Sequence, residues 1–255
     1  MTDIHMVTWH RPEITELAIR TIARNSKSGS YRLIVTDNGS LPEERTILQN
    51  LQDEGLIDEL VLFNRNHGLE YARNYGLTLC KSKYIICADN DCLPEPVRDG
   101  KDWIERLTAL IDGDTRYAAI ACRTQVMVGT GNIFEDESQP ITDFPHPGGS
   151  FRIMVADVVR AIGGWEGKPG RGSEERYICG KLHEYGHMTG FATNVKALHL
   201  FGVRGHETDR WGYPGSWAPD ATGHSDISHP ALTQGDSIEE VEKYAGKALA
   251  ERYFA

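Results

Sequence analysis

The first half of the chain repeats one unit: a short apolar run, a polar turn, then an amphipathic segment. Ile4 to Thr8, Tyr31 to Thr36 (YRLIVT), Leu60 to Phe63, Tyr84 to Ala88 (YIICA) and Ala118 to Ala121 read as strands. Between them, Pro12 suits a first helical turn, and Ile14, Leu17, Ala18 and Ile22 recur on one face. Ser40-Leu41-Pro42-Glu43 reads as a capping box, with Ile47, Leu48 and Leu51 inward. Gly68 to Cys80 makes a third helix, and Trp103, Leu107, Leu110 and Ile111 mark a fourth. Strands separated by crossover helices predict an α/β fold, a mostly parallel sheet flanked by helices. Ligands of such sheets bind beyond the carboxyl ends of the strands. The residues that follow each strand are therefore the ones to inspect.

At 255 residues the chain suffices for one large domain with an appendage. From Arg123 to Ser150 the periodicity dissolves into Gly, Pro and acidic residues, a loop pattern. A short helix over Val155 to Ile162 leads to Gly163-Gly164-Trp165. A longer one runs from Ser173 to Gly186, and extended residues follow to His199. Gly202 to Gly235 is rich in Gly, Pro, His and Trp. From Asp236 a last helix puts Ile238, Val241, Ala245 and Leu249 on one face.

The formal net charge of -10 repels polyanions, so no stable nucleic-acid binding is expected. The five cysteines are odd in number and form no C-x-x-C pair, so neither a disulfide framework nor a zinc knuckle is suggested. The N-terminal residues lack a signal pattern, and no apolar stretch is long enough to span a bilayer. A cytoplasmic location is expected.

Polar groups gather after the second, third and fourth strands, as Thr36-Asp37-Asn38-Gly39-Ser40, Asn64-Arg65-Asn66-His67-Gly68 and Asp89-Asn90-Asp91. Carboxylates there can accept hydrogen bonds from a base or ribose, or coordinate a hard divalent cation. Spacing alone is weak: Asp112-Gly113-Asp114 has the same D-x-D form, yet falls at a helix end and reads as a solvated turn. Asp37 could equally serve an Asx-turn ahead of Gly39.

Taken together, these segments resemble family 2 glycosyltransferases of the GT-A fold. The resemblance runs through Val7-Thr8-Trp9-His10-Arg11-Pro12-Glu13, then Val35 to Ser40, then Asn66-x-Gly68-x-x-x-Ala72-Arg73-Asn74-x-Gly76, then Tyr84 to Asp91. It continues in order through Gly163-Gly164-Trp165, Glu174-Glu175, Leu182, Gly186 and His199. It implies a GT-A domain over 1–200, with a nucleotide-binding half (1–122) and an acceptor half (123–200), and an extension over 201–255. Thr8, Asp37 and Arg73 would contact a nucleotide-sugar donor. Asp89 and Asp91 would hold Mn²⁺ or Mg²⁺ against its diphosphate, with His199 as a further ligand. Glu175 would be the general base for an inverting displacement, with a UDP-sugar as the commonest donor. Two residues depart from the family pattern: Glu175 stands where Asp is usual, and Tyr177 replaces an acidic residue.

Two other readings compete. A nucleotide-sugar binder of the same fold could lack turnover. His183-Glu184-Tyr185-Gly186-His187 spells H-E-x-x-H, a zinc-peptidase signature. Gly186 would end the helix before His187, however, and Thr193 occupies the third-ligand position of the long form. On the acceptor side, Trp165, Glu174, Trp211, Tyr213 and Trp217 are candidates. The acceptor itself stays open among glycan, small molecule, protein and modified nucleobase.

Overall fold

The computed structural model describes residues 1–124, 138–166 and 173–199. In chain order the elements are β1 (Thr2–Thr8), α1 (Pro12–Asn25), β2 (Tyr31–Asp37), α2 (Pro42–Asp53), β3 (Glu59–Leu62), α3 (Leu69–Leu79), β4 (Tyr84–Asp89), β5 (Cys92–Pro94), α4 (Trp103–Gly113), β6 (Tyr117–Thr124), β7 (Ile141–Asp143), β8 (Arg152–Val155), α5 (Ala156–Ala161), α6 (Ser173–Glu184) and β9 (Met188–His199). The predicted helix from Asp236 lies outside the described residues, as do Trp211, Tyr213 and Trp217.

The strands form one mixed sheet in the order β3-β2-β1-β4-β8-β6-β9-β5, with β7 added on β9. β1 to β4 are mutually parallel, and β6 pairs parallel with β9. β8 is wedged antiparallel between β4 and β6, while β5 and β7 run antiparallel to β9.

Period-two alternation splits the buried side chains between two faces. Ile4, Met6, Leu33, Val35, Ile86, Ala88 and Ile153 meet Leu17 and Ile22 of α1, Leu48 and Leu51 of α2, and Trp103 and Leu107 of α4. Ile85, Cys87, Ala119 and Met154 face the other way, onto Leu77 of α3, Val159 of α5, and Ile178 and Leu182 of α6. Burial on both faces explains the apolar runs Leu33 to Val35 in β2 and Tyr84 to Ala88 in β4.

Three strands escape the sequence reading. β5 is three residues long and ends in Pro94; β7 lies inside the expected loop; β8 carries a buried Arg152 that breaks its apolar run. The cap of α2 also differs from expectation. Leu41 is the N-cap, Glu44 Oε2 accepts its N–H at 2.8 Å, and Ser40 Oγ instead accepts the His10 N–H at 2.8 Å. Ser40 thus ties the β1–α1 turn to the end of β2. All five cysteines are free and buried. Among the described residues no helix is long and apolar enough to cross a membrane.

Candidate active site

Parallel β1, β2 and β4 deliver their carboxyl ends to one edge of the sheet, and β9 brings His199 to the same edge. At β2, Asp37 is fully buried; its Oδ2 accepts from Ser40 N at 3.1 Å and from Arg45 Nε at 2.9 Å. Its Oδ1 is buried with no partner. A buried acceptor without a donor is costly, so this atom is able to accept a further hydrogen bond. Gly39 allows the close approach of the β3 loop: at φ 90, a Cβ there would overlap the backbone of Arg65 and Asn66. Asn38 then spans the gap, donating to Asn66 Oδ1 at 2.9 Å and accepting from His67 N at 2.9 Å.

At β1, Thr8 is buried and shares its hydroxyl with Thr15 at 2.9 Å, while Asn90 Nδ2 reaches Thr8 at 3.3 Å and Thr15 at 2.9 Å. Thr8 therefore braces the D-x-D turn. His10 and Arg11 both adopt left-handed backbone (φ 55 and 57), a costly conformation for such residues. That turn sends Arg11 Nη1 to within 3.4 Å of Asp91 Oδ2.

Asp89 and Asp91 differ in environment. Arg73, itself buried, donates Nη1 to the carbonyls of His5 and Ala88, and Nη2 to Asp89 Oδ1 at 2.9 Å. Its guanidinium joins β1 to β4 and reaches the site through Asp89. Burial raises the Asp89 pKa despite Arg73, and the Asp91 charge adds to the rise. Burial also pushes Asp91 up, but the charge and hydrogen bond of His199, with Arg11, outweigh it and hold that carboxyl at about 2. His199 Nε2 lies 3.3 Å from Asp91 Oδ1; burial lowers its pKa, yet the Asp91 charge leaves it raised overall. Gly149 lies against Asp89: a Cβ there would be 3.2 Å from both of its carboxylate oxygens.

On the far side of the site, α6 begins with Glu174 and Glu175. Glu174 is 4% exposed and turned inward, accepting from Arg152 Nη2 and from Trp165 Nε1, both at 2.6 Å. Arg152 also donates to the Pro147 carbonyl at 3.0 Å, joining the loop before β8 to α6. Trp165 is 3% exposed and packs in the second core cluster. Both acceptor candidates on described residues thus lie beneath the site, because Glu174 requires the two buried donors. Glu175 is left at the surface of this network. Burial raises its pKa, as do the charges of Glu174 and Asp89, against the opposing charge of Arg152.

The two look-alike motifs fall elsewhere. Asp112 pairs with Lys83 at 2.6 Å and with Tyr84 at the start of β4, the opposite end of the strand from Asp89. α6 ends in a Schellman motif: Gly186 N donates to His183 O and His187 N to Leu182 O, with Gly186 at φ 84. His187 is therefore off the helix, and His183 Nε2 bonds Thr189 Oγ1 at 2.9 Å. That removes the shared face a zinc peptidase needs.

Arg11, Arg45, Asn38, Asn66 and Arg152 were not assigned roles from sequence. Arg152 is a charge inside a buried strand and so demands a partner, but the same charge breaks the apolar run that would mark β8 in the sequence.

Comparison with known proteins gives this geometry a family. Residues 3–161 match the profile of glycosyl transferase family 2. The chain belongs to glycosyl transferase family 2. The succinoglycan biosynthesis protein ExoM of Rhizobium meliloti (strain 1021) is 30% identical over 106 residues, 41% of this chain and 33% of that protein. Among solved structures, the mannosyltransferase PcManGT from Pyrobaculum calidifontis, in complex with GDP-Man and Mn²⁺, superposes with a TM-score of 0.65 at 16% identity, covering 80% of this chain and 58% of that one. GalNAc-T7 with UDP, GalNAc and Mn²⁺ follows at 0.62 and 14%, covering 78% and 43%. The likeness to both solved structures establishes the shared fold. This family 2 chain spans a third of the length of ExoM and about half of the two solved chains.

Proposed function

We propose that the protein is a metal-dependent inverting glycosyltransferase that moves a sugar from a UDP-sugar to an acceptor hydroxyl. The observation that carries this reading is the meeting of Asp91 and His199, from β-strand ends far apart in sequence, at 3.3 Å beside Asp89. Two carboxylates and an imidazole suit Mn²⁺ or Mg²⁺. Both solved neighbours hold Mn²⁺ with a nucleotide or nucleotide-sugar.

Each residue then has a task. The unpartnered Asp37 Oδ1 accepts from the donor's base or ribose, and Arg45 keeps that carboxylate oriented. Arg73 fixes Asp89; Asp91 and His199 complete the cation site. When bound, the cation stabilises the charge that gathers on the departing diphosphate. Glu175 takes the acceptor proton, and its raised pKa makes it the stronger base. Arg152 and Trp165 hold Glu174, and so the first turn of α6, in place. Uridine is favoured by the family resemblance and by the UDP in GalNAc-T7. Five cysteines without a disulfide fit the reducing cytoplasm. Trp211 and Trp217, outside the described residues, are kept as candidates for contact with the acceptor.

Calorimetric titration of UDP with Mn²⁺, then with EDTA, tests the donor site. Binding should require the metal and disappear in Asp91→Asn. Binding that ignores both EDTA and the substitution would move the cation site elsewhere.

A further inference from the structure

We infer that Cys92 completes, with Asp91 and His199, a three-ligand site for a soft divalent ion such as Zn²⁺ or Cd²⁺. The site coincides with the one proposed for the donor's hard cation, and the inference rests on that placement. Cys92 opens β5, whose antiparallel pairing sets it directly opposite His199 on β9. Its Sγ lies 3.8 Å from Asp91 Oδ1, the same oxygen that His199 Nε2 approaches at 3.3 Å. All three donor atoms fall within 4.8 Å of one another.

Two of these separations approach those of a coordination polyhedron. Tetrahedral zinc with bonds of about 2.3 Å to sulfur and about 2.0–2.1 Å to nitrogen or oxygen requires ligand atoms about 3.3–3.6 Å apart. The Asp91–His199 edge lies in that range, the Asp91–Cys92 edge just above it, and the Cys92–His199 edge is no longer than 4.8 Å. Three protein ligands leave the fourth tetrahedral position to water or a phosphate oxygen.

A buried cysteine is ordinarily a small hydrophobe. Cys92 packs in the core as well, but its thiol donates to the Asp91 carboxylate, whose same oxygen meets His199. Among the described residues, Cys80, Cys87, Cys122 and Cys179 join no such group of ligands. Thiolate favours Zn²⁺ over Mn²⁺, which also stands lowest in the general affinity order of the divalent ions. As the sulfur–metal bond forms, the thiol proton passes to solvent, one per ion bound. Zinc seated there displaces the hard cation and leaves fewer open positions for a diphosphate, so it inhibits.

The test is a Cd²⁺ titration of metal-stripped protein, read by the ultraviolet sulfur-to-cadmium charge-transfer band, with Zn²⁺ as competitor. One equivalent should develop the band and Zn²⁺ should erase it. Cys92→Ser and Cys92→Ala should abolish it, and His199→Ala should weaken affinity on the order of 10–100-fold or more. Circular dichroism verifies that the variants fold. A wild type without the band, or a band that survives both Cys92 substitutions, overturns the inference. UDP binding with Mn²⁺ in the wild type, measured in parallel, separates the two readings. If it persists without the cadmium band, only the role of Cys92 falls. If it is absent while the band depends on Cys92 and His199, the donor reading fails and the soft-ion site stands.

Discussion

Glu175 is the residue whose chemistry is most exposed to test. Its carboxyl is raised by burial and by the charges of Glu174 and Asp89, opposed by Arg152. A general base works only deprotonated, so the acid limb of the rate profile should sit above the ordinary glutamate range. Glu175→Gln should lower turnover by roughly 10²–10⁴-fold while UDP affinity stays within error. Unchanged turnover would remove Glu175 as the base. Arg152 makes a separate claim, about stability. It is fully buried against a Glu174 carboxylate almost as buried. Breaking such a pair leaves one charge stranded, so Arg152→Met should destabilise by about 3–5 kcal/mol in urea. A loss under 1 kcal/mol would show that water reaches Glu174.

Among the elements, two glycines with left-handed backbone separate strain from collision. Gly186 ends α6 at φ 84 with open space around it, so Ala there carries only the conformational cost, about 1–2 kcal/mol. Gly39 has a similar φ, and its Cβ would also overlap the β3 loop. Gly39→Ala should therefore lose more stability than Gly186→Ala, and UDP binding with it. Equal losses would mean that the Asn38–Asn66 junction yields easily. The same elements show what a sequence reader can see. Buried β2, β4 and β6 announce themselves as apolar runs, and the Gly186 stop was legible because a Schellman end needs little beyond one glycine. Short β5 and β7 owe their existence to pairing with β9, a long-range contact that local residues do not encode. The strand-end acids were legible for the same reason as the strands. The inward turn of Glu174 and Trp165 was not, because Arg152 sits on a strand whose charge hid it.

For the whole molecule, the sheet stores a pH dependence in a histidine far from solvent. His5 sits mid-β1, fully buried, with Nε2 on Thr36 Oγ1 at 2.9 Å, Nδ1 unpartnered, and its ring against Gly76 of α3. Burial first, and the Arg73 charge second, depress its pKa to about 3. The unfolded chain binds this proton near 6.5, so between 6.5 and 3 the unfolded state holds more protons than the folded one. The stability that the neutral ring contributes is complete above 6.5 and is lost as pH falls, at about 1.4 kcal/mol per unit. His199 has the opposite sign. Its pKa is raised, so its contribution is present below 6.5 and fades as pH climbs through the folded value. Asp91, held at about 2, loses its contribution only below the ordinary carboxylate range. With EDTA present, the stability of the wild type in urea should therefore carry a His5 component that falls from pH 6 to 4, against the opposite slope of the raised carboxyls Asp89, Glu95 and Glu175. His5→Gln should remove that component, changing the net slope by about 1.4 kcal/mol per unit, whatever it costs at neutral pH. An unchanged slope would mean that His5 gains its proton without unfolding, and that the two faces of the sheet part more readily at β1 than their packing implies.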